Sequence, residues 1–293
     1  METAIVPLHV LDTDVDIVVS GSPQVAQKFA WTIAERWHLA VAELAGRVGG
    51  ARVGGPPAGG ARDEHASELA GGPVTVEVEL LEEMPRESVS DGVLRGTDER
   101  MLLQRLTQQV TRAVIADRTG DLLMLHAGAL SHRDTGAAAI FVAPGGTGKS
   151  TTCRVLGPDR AYLSDETVGI RRDGTIAPYL KPISTRRPDW SGIKDEVAPS
   201  ALGLVAPPVP AWVAGVLVLR REPDRQEPPE ITTLETLEAL TDIAPETSGF
   251  MATERPLTWL AQLLESTGGA RRVTYGAAEE LRPLVDEICG RQR

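Results

Sequence analysis

The sequence predicts an α/β protein built around a mixed sheet. Strand-like and helix-like segments alternate along most of the 293 residues, which favours a layered architecture. Hydrophobic residues make up 42% of the chain, enough for a sizeable core. The length allows one large domain or two small ones. We expect an α+β region at residues 1–117 and a second domain at residues 118–293.

The first elements are predicted by periodicity and capping. Residues 14–20 alternate polar and apolar side chains, as a half-buried strand does. Ser22 and Pro23 then offer an N-cap and a first-turn proline for an amphipathic helix that ends near Gly46. Residues 49–72 contain eight glycines, and such a segment buries too little apolar surface to offset its ordering entropy. It is expected to be a flexible loop.

Strand-like and helix-like segments continue to alternate to the end of the chain. Residues 74–80 alternate valine with polar residues, which predicts a strand, and Thr97 is the expected N-cap of the next helix. The later predictions, in chain order, are a hairpin of strands at 122–130 and 137–142, a tight turn at Asp173-Gly174, a buried strand at 212–221, helices at 233–243 and 256–266, a strand at 271–275 and a helix at 277–289.

Charge and composition exclude several classes of function. The formal net charge is −11, so no basic field surrounds the chain to attract a nucleic acid. Two cysteines, Cys153 and Cys289, cannot form a disulfide framework, which favours a reducing compartment. The first residues lack the basic segment of a secretory signal. No apolar run reaches the roughly 18 residues of a membrane span. We expect a cytoplasmic protein with neither a nucleic-acid nor a membrane partner.

The strongest chemical feature is the segment APGGTGKS at residues 143–150. It matches the phosphate-binding loop pattern G-x-x-x-x-G-K-[ST] except at its first residue, Ala143. The glycines let backbone N–H groups surround phosphate oxygens, and the following helix points its positive end at them. Lys149 would contact the β and γ oxygens and Ser150 would join Mg²⁺. The predicted nucleotide-binding residues are Gly145, Gly146, Thr147, Gly148, Lys149, Ser150 and Thr151.

The alternative to a phosphate-binding loop at residues 143–150 is a chance glycine-rich turn. The strand–loop–helix context disfavours it, as does the presence of a lysine in a chain that contains only four.

An acidic pair follows the loop. The apolar run at residues 161–164 leads directly to Asp165 and Glu166, and ligands bind at the carboxyl ends of strands in open α/β sheets. A kinase needs one carboxylate for its metal and one as the base for the acceptor hydroxyl. The alternative is that the pair only solubilises a strand end. His126 lies in an apolar strand, where a structural histidine is the commoner case.

Three segments together resemble a known family: His126-Ala-Gly, the loop at residues 143–150, and Leu163-Ser-Asp-Glu166. They resemble the catalytic core of HPr kinase/phosphorylase. They are more similar to the HPr kinase-related proteins of bacterial peptide-biosynthesis clusters, such as lasso-peptide precursor kinases. The resemblance implies a P-loop kinase fold of the HPr kinase and phosphoenolpyruvate carboxykinase type. It also implies ATP and Mg²⁺ as cosubstrates and a serine hydroxyl as acceptor.

The resemblance also implies residue roles. Lys149 would bind phosphate, Ser150 would bind phosphate and metal, and Asp165 would be the base. Glu166 would assist at the metal, and His126 would support the carboxylate. Residues 179–183 resemble a Lys/Arg-Pro segment that follows the acidic pair in the related kinases, so Lys181 is a candidate for contact with phosphate or substrate. Arg186 and Arg187 follow it in a proline- and serine-rich segment, and such a pair could stabilise charge on the transferred phosphoryl group. Solvated surface charges are the alternative for all three residues.

Two departures from the family pattern affect the expected reaction. HPr kinases have two aspartates where this chain has Asp165 and Glu166. They also carry a Glu-Val-Arg-Gly motif associated with the phosphorylase reaction, and this sequence has none. The expected activity is therefore a kinase without phosphorylase activity. HPr kinases form hexamers, so the resemblance implies a homo-oligomer.

The leading expectation is transfer of the γ-phosphoryl group of Mg-ATP to a serine of a small protein or a ribosomally made precursor peptide. Residues 1–117 resemble nothing recognisable, and binding of a leader peptide is one role for them. Two alternatives stay open. The first is a kinase of a small molecule such as free serine, and the second is an adaptor that binds ATP without transferring phosphate.

Overall fold

The structure is a computed structural model that describes residues 2–42, 72–83, 91–187 and 192–293. Apart from Gly72, the glycine-rich segment 49–72 lies outside the described residues. The chain divides into two compact units. The first comprises Met1–Asp117 and Lys181–Ala201, and the second comprises Arg118–Leu180 and Leu202–Arg293.

The described residues form strands and helices throughout both units. The strands, in chain order, are β1 Glu2–Val10, β2 Thr13–Gly21, β3 Val74–Leu80, β4 Leu94–Gly96, β5 Leu123–Ser131, β6 Ala137–Val142, β7 Ala161–Ser164, β8 Thr167–Ile170, β9 Ile176–Ala177, β10 Ile183–Arg186, β11 Lys194–Val197, β12 Trp212–Arg221, β13 Glu230–Leu234, β14 Thr247–Ser248 and β15 Ala270–Tyr275. The helices are α1 Pro23–Arg36, α2 Glu99–Arg118, α3 Lys149–Leu156, α4 Thr236–Ile243, α5 Pro256–Ser266 and α6 Arg282–Cys289.

The first unit contains a sheet in the order β1-β2-β3-β4. Strands β1 and β2 are antiparallel, whereas β3 lies parallel to both of its neighbours. The predicted strand at residues 14–20 is confirmed as β2, and its apolar residues Val15, Ile17 and Val19 are fully buried. The strand predicted at residues 74–80 is confirmed as β3. A separate antiparallel pair, β10 and β11, belongs to the same unit and was not predicted.

Two predictions for the first unit need correction at helix ends. Helix α1 ends at Arg36 and not near Gly46, because the chain turns back after the fully buried Trp37 to pair with β1. The Ala42 N–H donates to the Pro7 carbonyl at 3.1 Å. Helix α2 is capped by Asp98 rather than by the predicted Thr97. The Asp98 carboxylate accepts a hydrogen bond from the Met101 N–H at 2.9 Å, the usual N-cap contact.

The second unit contains a mixed sheet in the order β13-β15-β12-β6-β5-β8-β9. Strands β6, β12 and β15 are mutually parallel, and the other pairs are antiparallel. The predicted mixed α/β class is therefore confirmed at this level. The hairpin of β5 and β6 is also confirmed. All six residues of β6 are fully buried, which explains why its sequence is a continuous apolar run without polar alternation.

Two element boundaries in the second unit differ from the prediction. Residues 230–234 form the edge strand β13, so the helix expected from residue 233 begins at Thr236 instead. The last helix begins as a 3-10 turn at Ala278–Leu281 and becomes α6 at Arg282. None of the helices among the described residues has the length and apolar character needed to cross a membrane.

Two glycines with positive φ, Gly136 between β5 and β6 and Gly174 between β8 and β9, test how tightly the β5–β6 turn is packed. Gly136 has φ +73°, and a Cβ there would collide with the Pro210 carbonyl. Gly174 has φ +80° with no atom within 4 Å of a Cβ. Gly174→Ala therefore adds only backbone strain, about 1 kcal/mol. Gly136→Ala adds strain and overpacking, about 3 kcal/mol or more. Urea unfolding of both variants measures the difference, and equal losses would contradict the packing described.

Candidate functional site

The phosphate loop lies between β6 and α3 in the second unit. Strand β6 ends at Val142 and helix α3 begins at Lys149. Gly146 and Gly148 have φ of +85° and +107°, backbone conformations that glycine adopts readily and other residues rarely do. The Thr147 hydroxyl donates to the Pro144 carbonyl at 2.9 Å and stabilises the turn. The loop and the amino end of α3 together suit an anionic group with several oxygens.

Lys149 is folded back over this loop. Its side chain is only 6% exposed, and its ammonium donates to the Ala143 carbonyl and, at 3.2 Å, to the Pro144 carbonyl. Burial lowers the pKa of Lys149, and the carboxylates of Glu246, Asp165 and Glu166, in that order, oppose this shift. Because its present acceptors are neutral carbonyls, an anionic ligand in the loop would offer the ammonium stronger hydrogen bonds.

Two residues at the carboxyl ends of the parallel strands β12 and β15 lie against the loop. Tyr275, the last residue of β15, donates its hydroxyl to the Thr147 carbonyl at 3.3 Å. Arg221, the last residue of β12, donates to the Gly276 carbonyl at 3.2 Å. A Cβ at Gly148 would lie 3.6 Å from atoms of both side chains. The loop is therefore positioned by the carboxyl ends of strands that come more than 60 residues later in the sequence.

The acidic pair lies in the turn between β7 and β8. Both of these strands pair with β5, and the turn is held by the Ser164 hydroxyl, which accepts from the N–H groups of Glu166 and Thr167 at 3.1 and 3.0 Å. Asp165 is 4% exposed and accepts a hydrogen bond from the Tyr162 hydroxyl at 3.0 Å. Burial and then the Asp165 charge raise the pKa of Tyr162 well above its usual value. Tyr162 is thus a permanently neutral donor to Asp165.

His126 lies on β5, opposite Thr167 of β8. The β5–β6 pairing ends with Ala127 opposite Val142, so His126 lies one residue beyond the pair at which β6 leads into the loop. The side chain is half-buried. Burial and the charge of Lys149 lower the pKa of His126, whereas Glu246 and Glu166 raise it. The net effect favours a neutral imidazole near pH 7.

Gly128 explains how the loop helix comes close to the acidic turn. A Cβ at this position would lie 2.9 Å from the Cys153 sulfur of α3, so only glycine lets the helix pack this closely on β5. The Cys153 thiol in turn donates to the Ser164 carbonyl at 3.4 Å. The glycine of the His126-Ala-Gly segment therefore couples the position of α3 to that of the acidic turn.

A groove of 630 Å³ opens on the β12 side of the loop. It is lined by residues 144–147 of the loop, by residues 218–223 at the end of β12, and by Asp242. The Arg272 guanidinium holds the Asp242 carboxylate with hydrogen bonds of 3.1 and 2.6 Å. The volume falls within the range of small-molecule sites, roughly 300–1,000 Å³.

The structure brings some of the sequence-predicted residues together and not others. His126, Lys149, Ser150, Asp165 and Glu166 all belong to the second unit. By contrast, the basic candidates Lys181, Arg186 and Arg187 belong to the first unit. Lys181 is 1% exposed and donates to the Pro182 carbonyl at 3.1 Å, so it is no solvated strand-end lysine. Arg187 pairs with Asp195 at 3.4 Å.

Sequence reasoning missed four residues of this region: Tyr275, Arg221, Asp242 and Glu246. The arginine pair at residues 220–221 was visible in the sequence, but nothing there placed it beside the loop. The other three residues carry no motif. The pairing of distant strands positions Tyr275 and Glu246, whereas Asp242 lies on α4 and is held by Arg272 of β15.

The acidic residues do not form a closed metal cage. Within residues 2–42, 72–83, 91–187 and 192–293, no three histidine, cysteine, aspartate or glutamate side chains are grouped so that they could hold a metal ion. Mg²⁺ is commonly held by one or two carboxylates together with substrate phosphates and water. A pair such as Asp165 and Glu166 beside a phosphate loop fits that mode of binding.

Comparison with known proteins assigns no relative. No protein-family model matches the chain, and no curated protein matches its sequence significantly. The function must therefore be argued from the geometry and chemistry of the site.

Removal of the Tyr275 hydroxyl tests the support of the loop. In Tyr275→Phe the Thr147 carbonyl loses a hydrogen bond worth about 0.5–1.5 kcal/mol. The loop is then less well held, so we expect a phosphate ligand of the loop, with Mg-ATP as the probe, to bind about 2- to 10-fold more weakly. A fall of no more than about 5 °C in the unfolding midpoint is the control for folding. Calorimetric titration gives the affinity. An unchanged affinity would show that Tyr275 does not position the loop.

Proposed function

We propose that the chain is an ATP-dependent kinase of the HPr kinase-related type. It would transfer the γ-phosphoryl group of Mg-ATP to a serine hydroxyl on a small protein or a ribosomally made peptide, without phosphorylase activity. The observation that carries the proposal is the combination of a phosphate loop with a buried carboxylate, Asp165, that lies within electrostatic range of the loop lysine Lys149. An adaptor that only binds nucleotide needs a metal ligand but no base for an acceptor hydroxyl.

The nucleotide would be held by the loop and the groove. The N–H groups of residues 145–150 would surround the phosphates, and Lys149 would exchange its two carbonyl acceptors for β and γ oxygens. The groove on the β12 side has room for the nucleoside. Ser150, Asp165 and Glu166 would hold Mg²⁺. When bound, the ion would neutralise developing charge on the phosphate oxygens.

The acceptor would approach from the other side of the loop. Strand β5 and the acidic turn flank β6 on the side away from β12, so the hydroxyl would meet Asp165 on that side. Asp165 would accept or orient the hydroxyl proton, a contribution of about 10²- to 10⁴-fold for a positioned base. The Tyr162 hydroxyl holds the Asp165 carboxylate in place with a hydrogen bond. His126, neutral near pH 7, would support the carboxylate by hydrogen bonding.

The decisive experiment follows labelled γ-phosphate from Mg-ATP into a fractionated lysate of the source cells. We expect Asp165→Asn to lower transfer at least 100-fold at saturating Mg-ATP, because an amide cannot take the hydroxyl proton. The matched control is Asp134→Asn, which changes an exposed turn aspartate and should leave transfer unchanged.

The lysate fraction that takes up the label identifies the chemical class of the acceptor. Label in a peptide or protein band that disappears in Asp165→Asn supports the proposal. Label confined to small molecules would instead identify a metabolite kinase. If ATP binds but no label moves in any fraction, the chain is a nucleotide-binding adaptor and Asp165 is no base.

A further inference from the structure

We infer that Arg221 is a second phosphate-binding cation of the site, which contacts the phosphates that ADP and ATP have in common. The inference deepens the proposed function and rests on its nucleotide site. It adds to the loop lysine a guanidinium that belongs to no motif of the sequence, and it gives this group a role in nucleotide binding rather than in transfer.

Arg221 lies where the loop, its helix and the groove meet. It is the last residue of β12, and a Cβ at Gly148, the residue before α3, would lie 3.6 Å from its Cδ and 3.9 Å from its Nη1. The side chain lines the 630 Å³ groove together with loop residues 144–147. It also lines a cavity of about 20 Å³ beside Gly148 and Thr151, at the start of α3. A polyphosphate that runs from the loop into the groove therefore passes beside Arg221.

One hydrogen bond orients the guanidinium and leaves its outer nitrogens for a ligand. The Arg221 Nε donates to the Gly276 carbonyl at 3.2 Å. Neither Nη atom donates to an acceptor in the part of the chain that the structure describes. The N–H groups of a guanidinium lie in one plane and match two oxygens of a single phosphate. Arg221 is thus held in place and still able to bind an anion.

The charge of Arg221 is not neutralised by a neighbouring carboxylate. The next residue, Glu222, pairs with Arg225 at 3.2 Å, and the preceding residue, Arg220, lies 3.9 Å from Asp242. Among the described residues, no aspartate or glutamate forms an ion pair with Arg221 itself. The formal net charge of the chain is −11, so an arginine without a carboxylate partner beside the phosphate loop is a local positive centre that attracts an anion.

The topology of the sheet assigns Arg221 to the phosphates nearer the nucleoside. The acidic turn that contains Asp165 lies on the β5 side of β6, whereas Arg221 lies on the β12 side. The transferred γ-phosphate belongs beside the base, Asp165. The phosphates on the β12 side, next to the groove, are then the α- and β-phosphates. Because ADP keeps both of them, Arg221 acts on ADP and ATP alike.

The test measures Mg-ADP and Mg-ATP affinity calorimetrically for the wild type and for Arg221→Met, which keeps an unbranched apolar stem and removes the charge. We expect both nucleotides to bind about 10- to 100-fold more weakly, by similar factors, because charge-assisted hydrogen bonds to a phosphate are lost. Arg221→Lys keeps the charge without the planar N–H groups and should recover part of the loss. The matched control Arg154→Met removes an exposed arginine of α3 and should leave both affinities within about 2-fold.

Three results would overturn the inference. The first is a wild-type affinity of Arg221→Met for both nucleotides. The second is a loss confined to Mg-ATP, which would place the guanidinium on the γ-phosphate. The third is an equal loss in Arg154→Met, which would attribute the effect to general positive charge rather than to a contact.

A second variant and the wild type keep the two proposals separate. Arg221 is exposed, so we expect Arg221→Met to fold. If it does not, Arg221→Lys takes its place, and wild-type affinity of that variant for both nucleotides contradicts the inference. A wild type that binds Mg-ADP and Mg-ATP but transfers no phosphate defeats the proposed kinase alone, since the affinity comparison needs no transfer. A wild type that binds neither nucleotide overturns both proposals.

Discussion

The direction of the two strands beside β6 determines the geometry of the whole site. Strand β12 runs parallel to β6 and β5 runs antiparallel to it. The phosphate loop that follows β6 is therefore flanked by the carboxyl end of β12 on one side and by the first half of β5 on the other. Arg221 reaches the loop from the first side and His126 from the second. The groove lined by β12 and the acidic turn beside β5 can thus share one loop without occupying the same space.

The electrostatics of the site follow from burying a lysine in that loop. A buried ammonium loses its hydration, and the loss must be compensated by hydrogen bonds and opposite charge. The loop carbonyls supply the hydrogen bonds and the carboxylates supply the charge. The same lysine disfavours protonation of His126. Burial and the charge of Lys149 act in the same direction on the pKa of His126, so an anionic ligand that pairs with the lysine would also change the surroundings of the imidazole.

Local sequence patterns predicted those parts of the site whose residues are consecutive in the chain. The apolar run of β6, the glycine-rich loop and the start of α3 are consecutive in the chain, so pattern alone was sufficient. The edge strand β1 was not predicted, because Pro7 interrupts its alternation and proline is tolerated only at sheet edges. Tyr275 and Glu246 were not predicted either, since each owes its position to a pairing with a strand far away in the sequence.

The net charge of the chain and the chemistry of the phosphate loop favour different conclusions about anion binding. A formal charge of −11 speaks against binding a long polyanion, whose affinity depends on many dispersed contacts. A phosphate loop works at a smaller scale, with N–H groups and one helix end directed at a single point. Within such a site, carboxylates such as Asp165 and Glu246 are no contradiction to anion binding. Their charges favour the charged form of Lys149 against its burial, so the acidic groups maintain the cation that an anionic ligand of the loop would contact.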